Sequence, residues 1–170
     1  MADIISIATA VPDFCHKQSD IFHFMQDIYA LNEQDARKLK FLYDHCGIDT
    51  RYSVVPDYGV QQNNRNFIPV GKDAAFPSLE QRMDIYDREA VIISKKAIDG
   101  CLEGFISPEA ITHLITVSCT GMSAPWLDLQ LMNDMQLAPA IFRPSLIFLG
   151  CYAAIHALNV AKLIFVCTSG

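Results

Sequence analysis

Leu149-Gly150-Cys151-Tyr152-Ala153-Ala154 is the stretch on which the fold turns. Upstream of it, Ser145 to Leu149 is a short apolar run that reads as a buried strand. Gly150 ends that strand and Cys151 opens a helix, in which Ala153, Ala154, Ile155, Ala157, Leu158, Val160 and Ala161 leave few polar positions. His156, Asn159 and Lys162 break the pattern at intervals of three. A helix this apolar is expected to be mostly buried. In an open α/β sheet, ligands bind beyond the carboxyl ends of the strands, so Cys151 falls on the ligand side. It also falls at a helix N-terminus, where unpaired backbone N–H groups favour an anion. The thiolate is the nucleophilic form of cysteine, and the placement therefore points to a reactive thiol. The alternative is a structural cysteine, a small hydrophobe buried in a tight turn. Spacing leaves both open.

Working outward, Leu114-Ile115-Thr116-Val117 is a second apolar run without alternation, as expected of a strand buried on both faces. Between the two runs, Pro125 opens a helix with Leu127, Leu131 and Met135 inward. Before them, Pro77-Ser78-Leu79-Glu80 starts a long helix with Met83, Tyr86, Ala90, Ile93, Ala97 and Cys101 on its inner face; Gly104 and Pro108 close it. Asp49 to Phe76 holds Pro56, Gly59, Pro69, Gly71 and the run Gln61-Gln62-Asn63-Asn64, and reads as a long loop with room for hairpin strands. Glu33 to about His45 reads as a helix ended by Gly47. Gln18-Ser19-Asp20 offers a cap for a helix with Ile21, Phe24, Met25 and Ile28 in one stripe. Ile4 to Ala8 reads as a first strand. Helices alternating with buried strands predict an α/β fold with parallel pairing.

Composition narrows the function classes. The chain has 170 residues, 51% hydrophobic and 19% charged, enough for one domain with a real core. A net charge of -6 argues against nucleic acid as the main ligand. Cys15, Cys46, Cys101, Cys119, Cys151 and Cys167 form no Cys-x-x-Cys pair, which gives a metal site little support and fits reduced, cytoplasmic thiols. The N-terminus lacks the pattern of a signal peptide. Ser145 to Ala161 carries no formal charge, but Gly150, His156 and Asn159 interrupt it, and no membrane span is expected.

Several separated motifs agree on a family. Ile111-Thr112-His113-Leu114-Ile115-Thr116-Val117-Ser118-Cys119-Thr120-Gly121 resembles the strand and loop before the active site of type III polyketide synthases, the chalcone synthase-like enzymes. Pro125, Asp128 and Gln130-Leu131 fit the helix that follows, and Gly150-Cys151-Tyr152-Ala153-Ala154 resembles the nucleophile turn. Ile48 with Arg51, and Arg82-Met83, also fit. The resemblance covers almost the whole chain. It implies one half of a thiolase-like layered fold, with a mostly parallel mixed sheet and helices on both faces. Residues 1–170 would be a single N-terminal domain.

The resemblance also implies chemistry. Cys151 matches the cysteine that takes an acyl group from a starter acyl-CoA. Malonyl-CoA is then decarboxylated, and its carbanion attacks the thioester. No further cofactor is implied, and the family partner is a second copy, in a homodimer. Cys119 matches a pocket-lining position, or is a plain strand-end residue. Lys38 matches one coenzyme A-binding position, while Phe41 and His45 fall at two others; Lys38 and His45 also read as solvated helix residues. Trp126 stands where the family has a small residue, and Ala124 stands in a loop that reaches the partner subunit. A ketoacyl synthase III-like enzyme, or a non-catalytic remnant that pairs with an intact homologue, would share the same turn.

The family's catalytic His and Asn belong to a second half. His16, His23, His45, His113 and His156 are all poorly placed to replace them. Leu163-Ile164-Phe165-Val166-Cys167 reads as a last strand, yet no turn residue separates it from the helix before it, where about two to six residues are usual. The expectation is a shortened product without its C-terminal half, with an uncovered apolar face. Otherwise the helix runs on to Cys167 and no last strand forms.

Overall fold

The computed structural model describes residues 2–60, 64–68 and 75–168. Gln61, Gln62, Asn63, Pro69 and Gly71 of the expected long loop lie outside the described residues. The chain divides into two compact units, Val11–Arg82 and Met1–Ala10 with Met83–Gly170.

In the first unit, strand β1 (Phe14–Lys17) runs directly into helix α1 (Gln18–Tyr29), followed by helix α2 (Glu33–His45) and strand β2 (Thr50–Ser53). β1 and β2 pair antiparallel, with His16 opposite Arg51 and Cys15 opposite Tyr52. The hairpin strands expected in the loop thus include β2, but its partner lies far upstream. α1 starts where Gln18-Ser19-Asp20 predicts, without the expected cap. Lys17 is the N-cap, makes no side-chain cap bond, and the Ser19 hydroxyl donates to Asp20 instead. Ile21, Phe22 and Phe24 are buried on α1. α2 has the predicted bounds for local reasons. The Asn32 side chain accepts from Asp35 N at 2.9 Å, and Gly47 takes φ +68 just past the end.

Asp57 organises the rest of this unit. Its side chain is fully buried and accepts three backbone N–H bonds, from Asn66 at 3.1 Å, Phe67 at 2.7 Å and Ile68 at 2.6 Å. Arg65, just before Asn66 in the chain, stands 4.2 Å over the Phe24 ring and 3.7 Å from the Asp27 carboxylate.

In the second unit, helix α3 (Leu79–Leu102) begins in the first unit behind a capping box: Gln81 N donates to Ser78 Oγ, and Ser78 N to Gln81 Oε1. Its predicted inner face is half-buried throughout, and Val91, Ile98 and Leu102 also pack on the main core. That core is Leu131, Met135, Leu137 and Ile141. Strand β3 (Thr116–Ser118), helix α4 (Leu127–Asp134) and strand β4 (Ser145–Ile147) form a crossover unit. β3 and β4 are parallel, with Ser118 opposite Ile147. A bridge from His113 to Phe142 extends the pair backwards. Arg143 Nη1 donates to the buried Asp128 carboxylate, tying the approach of β4 to α4.

Three further expectations fail here. Ile4 to Ala8 is not a strand: it pairs with nothing among the described residues, and Ile4, Ile5 and Ile7 are exposed. An apolar run needs a neighbouring strand to satisfy its backbone before it becomes one. Leu163 to Cys167 is not a strand either, because helix α5 runs from Ala153 to Thr168. With no Gly, Pro or turn residue to stop it, adding one more helical bond costs less than nucleating anything else. Finally, α5 is not mostly buried. Ala153 is the residue on it that is fully enclosed, whereas Ile155, Leu158, Leu163, Phe165 and Val166 are exposed. Apolar sequence reports what a helix would bury, not whether something covers it.

Candidate functional site

The site is built at the carboxyl ends of the parallel pair. Cys119 follows β3 directly. β4 ends at Ile147, and the chain then makes a sharp turn through Phe148 and Gly150, both in left-handed conformation at φ +59 and +66. Gly150–Tyr152 is a single 3-10 turn, and Ala153 N closes it on Gly150 O. Cys151 thus sits in that turn, two residues before the first α-helical residue Ala153, which corrects the expectation that the helix opens on it. Ala153 is the anchor: its complete burial fixes the junction between turn and α5.

Gly150 is required by conformation and not by space. A Cβ there would meet nothing within 4 Å, but φ +66 is a region that L side chains rarely adopt. Phe148 holds the same sign of φ without that licence, an uncommon state for a bulky residue. No sequence signal could have revealed it, since Phe is not a left-handed former.

Cys151 is exposed. Within this chain the turn does not enclose the thiol. Cys119 is exposed too, so the parallel register brings two accessible thiols to the same end of the pair. His156 packs edge-on against Tyr152 with ring centroids 4.7 Å apart. Among the described residues, no group of three or more His, Cys, Asp or Glu is placed to hold a metal ion.

One face of the parallel pair carries Thr116, Ser118, Ser145 and Ile147, and Thr116 Oγ1 lies 2.7 Å from Ser145 Oγ. Over it lies a crevice of about 10 Å³, closed by Tyr86 and Trp126. That is space for about one water-sized sphere. Gly121 is what lets Tyr86 in: a Cβ on it would come within 2.0 Å of the ring. Trp126, noted in the sequence as bulky for its position, is thus a wall of this crevice.

Lys38 belongs to the other unit. It is exposed on α2 and paired with Asp35 at 3.0 Å. That hydrogen bond, with a second from Asn32 and the Lys38 charge, holds the Asp35 carboxyl below its ordinary 3.8. His45 stacks on Phe41 at 4.2 Å, and its Nδ1 lies 2.8 Å from Phe41 O. All three positions singled out on this helix are thus engaged within it. α5 carries one further property: Gly150–Cys167 is long and apolar enough to cross a membrane by length and composition, with mean hydropathy 1.5.

Comparison with known proteins agrees with this geometry. Type III polyketide synthases A and C of Arabidopsis thaliana are 28% and 27% identical to the chain over 163 residues. These alignments cover 95% of this chain but 40% and 41% of the relatives, so it spans about two fifths of their length. The 1,3,6,8-tetrahydroxynaphthalene synthase of Streptomyces coelicolor, a bacterial type III polyketide synthase, shares the fold with a TM-score of 0.76. It is 24% identical, and the match covers 99% of this chain and 44% of that one. The thiolase-like α/β fold expected from the sequence is therefore the fold observed. Residues 1–170 match the N-terminal domain of chalcone and stilbene synthases from end to end, and the chain belongs to that family.

Proposed function

We propose that this chain supplies the nucleophile of a type III polyketide synthase. The observation that carries the reading is the exposed thiol of Cys151 on a glycine-dependent turn at the carboxyl end of β4. The Cys151 thiolate attacks the carbonyl of an acyl-CoA. A new C–S bond forms, the old one breaks, and coenzyme A leaves as its thiolate. The enzyme-bound thioester is then extended by the carbanion from malonyl-CoA decarboxylation. Cys119 lines the acyl side, and Lys38 contacts coenzyme A phosphate once released from Asp35. The His and Asn that the family uses for the oxyanion match no residue of this chain. The reaction is placed in the cytoplasm, in a dimer with a second synthase chain.

Intact-mass spectrometry after incubation with a short acyl-CoA tests the first step. One acyl adduct, mapped to Cys151 and lost in Cys151→Ser, is expected. Adducts spread evenly over the exposed cysteines would sink the assignment.

A second reading is favoured by α5, whose exposed Leu158, Leu163 and Val166 would suit a docking element. In this reading the chain is a non-catalytic module that pairs with an intact homologue. Co-purification with a full-length synthase, without any Cys151 adduct, would select it.

A further inference from the structure

The first unit holds a cavity of about 370 Å³, on none of the residues proposed above for acyl transfer. It is near the lower end of the size range of small-molecule sites. Ile21 and Met25 of α1 give it an apolar floor, and His16, Tyr43 and Tyr58 supply rings. Arg51, a lining residue, stands opposite His16 across the antiparallel pair and is exposed. Its position is fixed, because Nε donates to Gln18 Oε1 at 2.9 Å. That bond uses one of its five N–H donors, and no carboxylate lies among the cavity's lining residues. His16 is 6% exposed, and its Nε2 has no hydrogen-bond partner among the described residues.

We infer that this cavity binds a small aromatic carboxylate. The rings and the apolar floor suit a flat hydrophobic body. A pinned guanidinium with no further side-chain partner among the described residues and no acid among the lining residues suits a carboxylate, which it can take in bidentate fashion. A neutral ligand of the same shape would use the floor and leave the cation unmet. A phosphate ester without a ring would use the cation and leave the floor wet.

Isothermal titration of the intact chain with 2-naphthoate is the test, with 2-naphthamide as the neutral probe. Saturable one-to-one binding is expected, at least tenfold tighter for the carboxylate. Arg51→Gln should erase that preference, and Arg51→Lys should restore part of it. Met25→Trp, which fills the floor, should abolish binding of both probes. Circular dichroism checks that each variant is folded. Absence of saturable binding to the folded wild-type chain overturns the proposal, as does equal affinity for the two probes. Binding unchanged by Arg51→Gln overturns it as well.

Discussion

Replacing Gly150 by alanine isolates what the turn that carries Cys151 needs. The added Cβ meets nothing within 4 Å, so crowding contributes nothing to the cost. The backbone at φ +66 is the whole of it. A left-handed L residue costs roughly 1–2 kcal/mol. Against this, alanine restricts the unfolded chain and returns about 0.4–1 kcal/mol. The net expectation is a loss of about 1 kcal/mol, or a fall of about 2–4 °C in Tm for a chain of this size. Asparagine tolerates the left-handed region, so Gly150→Asn should lose less than Gly150→Ala. Differential scanning calorimetry reads the stability, and iodoacetamide labelling of Cys151 reads the turn. If the alanine variant relaxes by flipping residue 150 to negative φ, the Cys151 labelling rate changes while that of Cys119 does not. Gly121→Ala is the contrasting case, because its Cβ would stand 2.0 Å from the Tyr86 ring and the penalty is steric. Equal stability of Gly150→Ala and wild type would refute the conformational argument. So would an asparagine variant as damaged as the alanine one.

Two predictions concern the first unit. Asp57→Ala strands three backbone donors at Asn66, Phe67 and Ile68, each worth about 1–3 kcal/mol if left unmet. Partial rescue by water makes about 3–5 kcal/mol the expected total, read as lost amide-exchange protection at those residues; unchanged protection would show that Asp57 does not hold the segment. Burial raises the Tyr58 hydroxyl above the ordinary 10.0, helped by the Asp57 carboxylate and by Tyr29 and Tyr43. Because the folded value lies above the unfolded one, this stabilisation is complete below pH 10.0 and is lost as pH rises through the folded value. Tyrosinate absorbance should show a late-ionising component that Tyr58→Phe removes; a curve identical in the variant would contradict the burial argument.

What was legible in the sequence was whatever the chain decides locally. α2 was readable because its signals are local: Gly47 marks its end, and the Asn32 cap and the Glu33–Arg37 pair lie within the same segment. The capping box at Ser78 and Gln81 is equally local. The parallel pair was legible because two unalternating apolar runs flank one helix, and few topologies accept that pattern. What was not legible depends on partners distant in sequence. β1 meets β2 across more than thirty residues, and no feature of Phe14-Cys15-His16-Lys17 names Thr50 to Ser53 as its mate. Ile4 to Ala8 has strand composition and no mate among the described residues.

The site divides along the same line. Gly150 advertises its turn because glycine is the cheap solution for positive φ, so the position of Cys151 could be read to within one turn. Phe148 makes the same turn with a residue that advertises nothing. This difference has a consequence for function. A turn held by glycine alone would move freely, and a thiol on it would sample many directions. A bulky side chain held at φ +59 persists only where surrounding structure over-determines it. Here the register of β3 against β4 fixes one end, and the complete burial of Ala153 fixes the other. The turn that carries Cys151 is therefore held at both ends even though the thiol itself is exposed, which is the arrangement the proposed nucleophile would need.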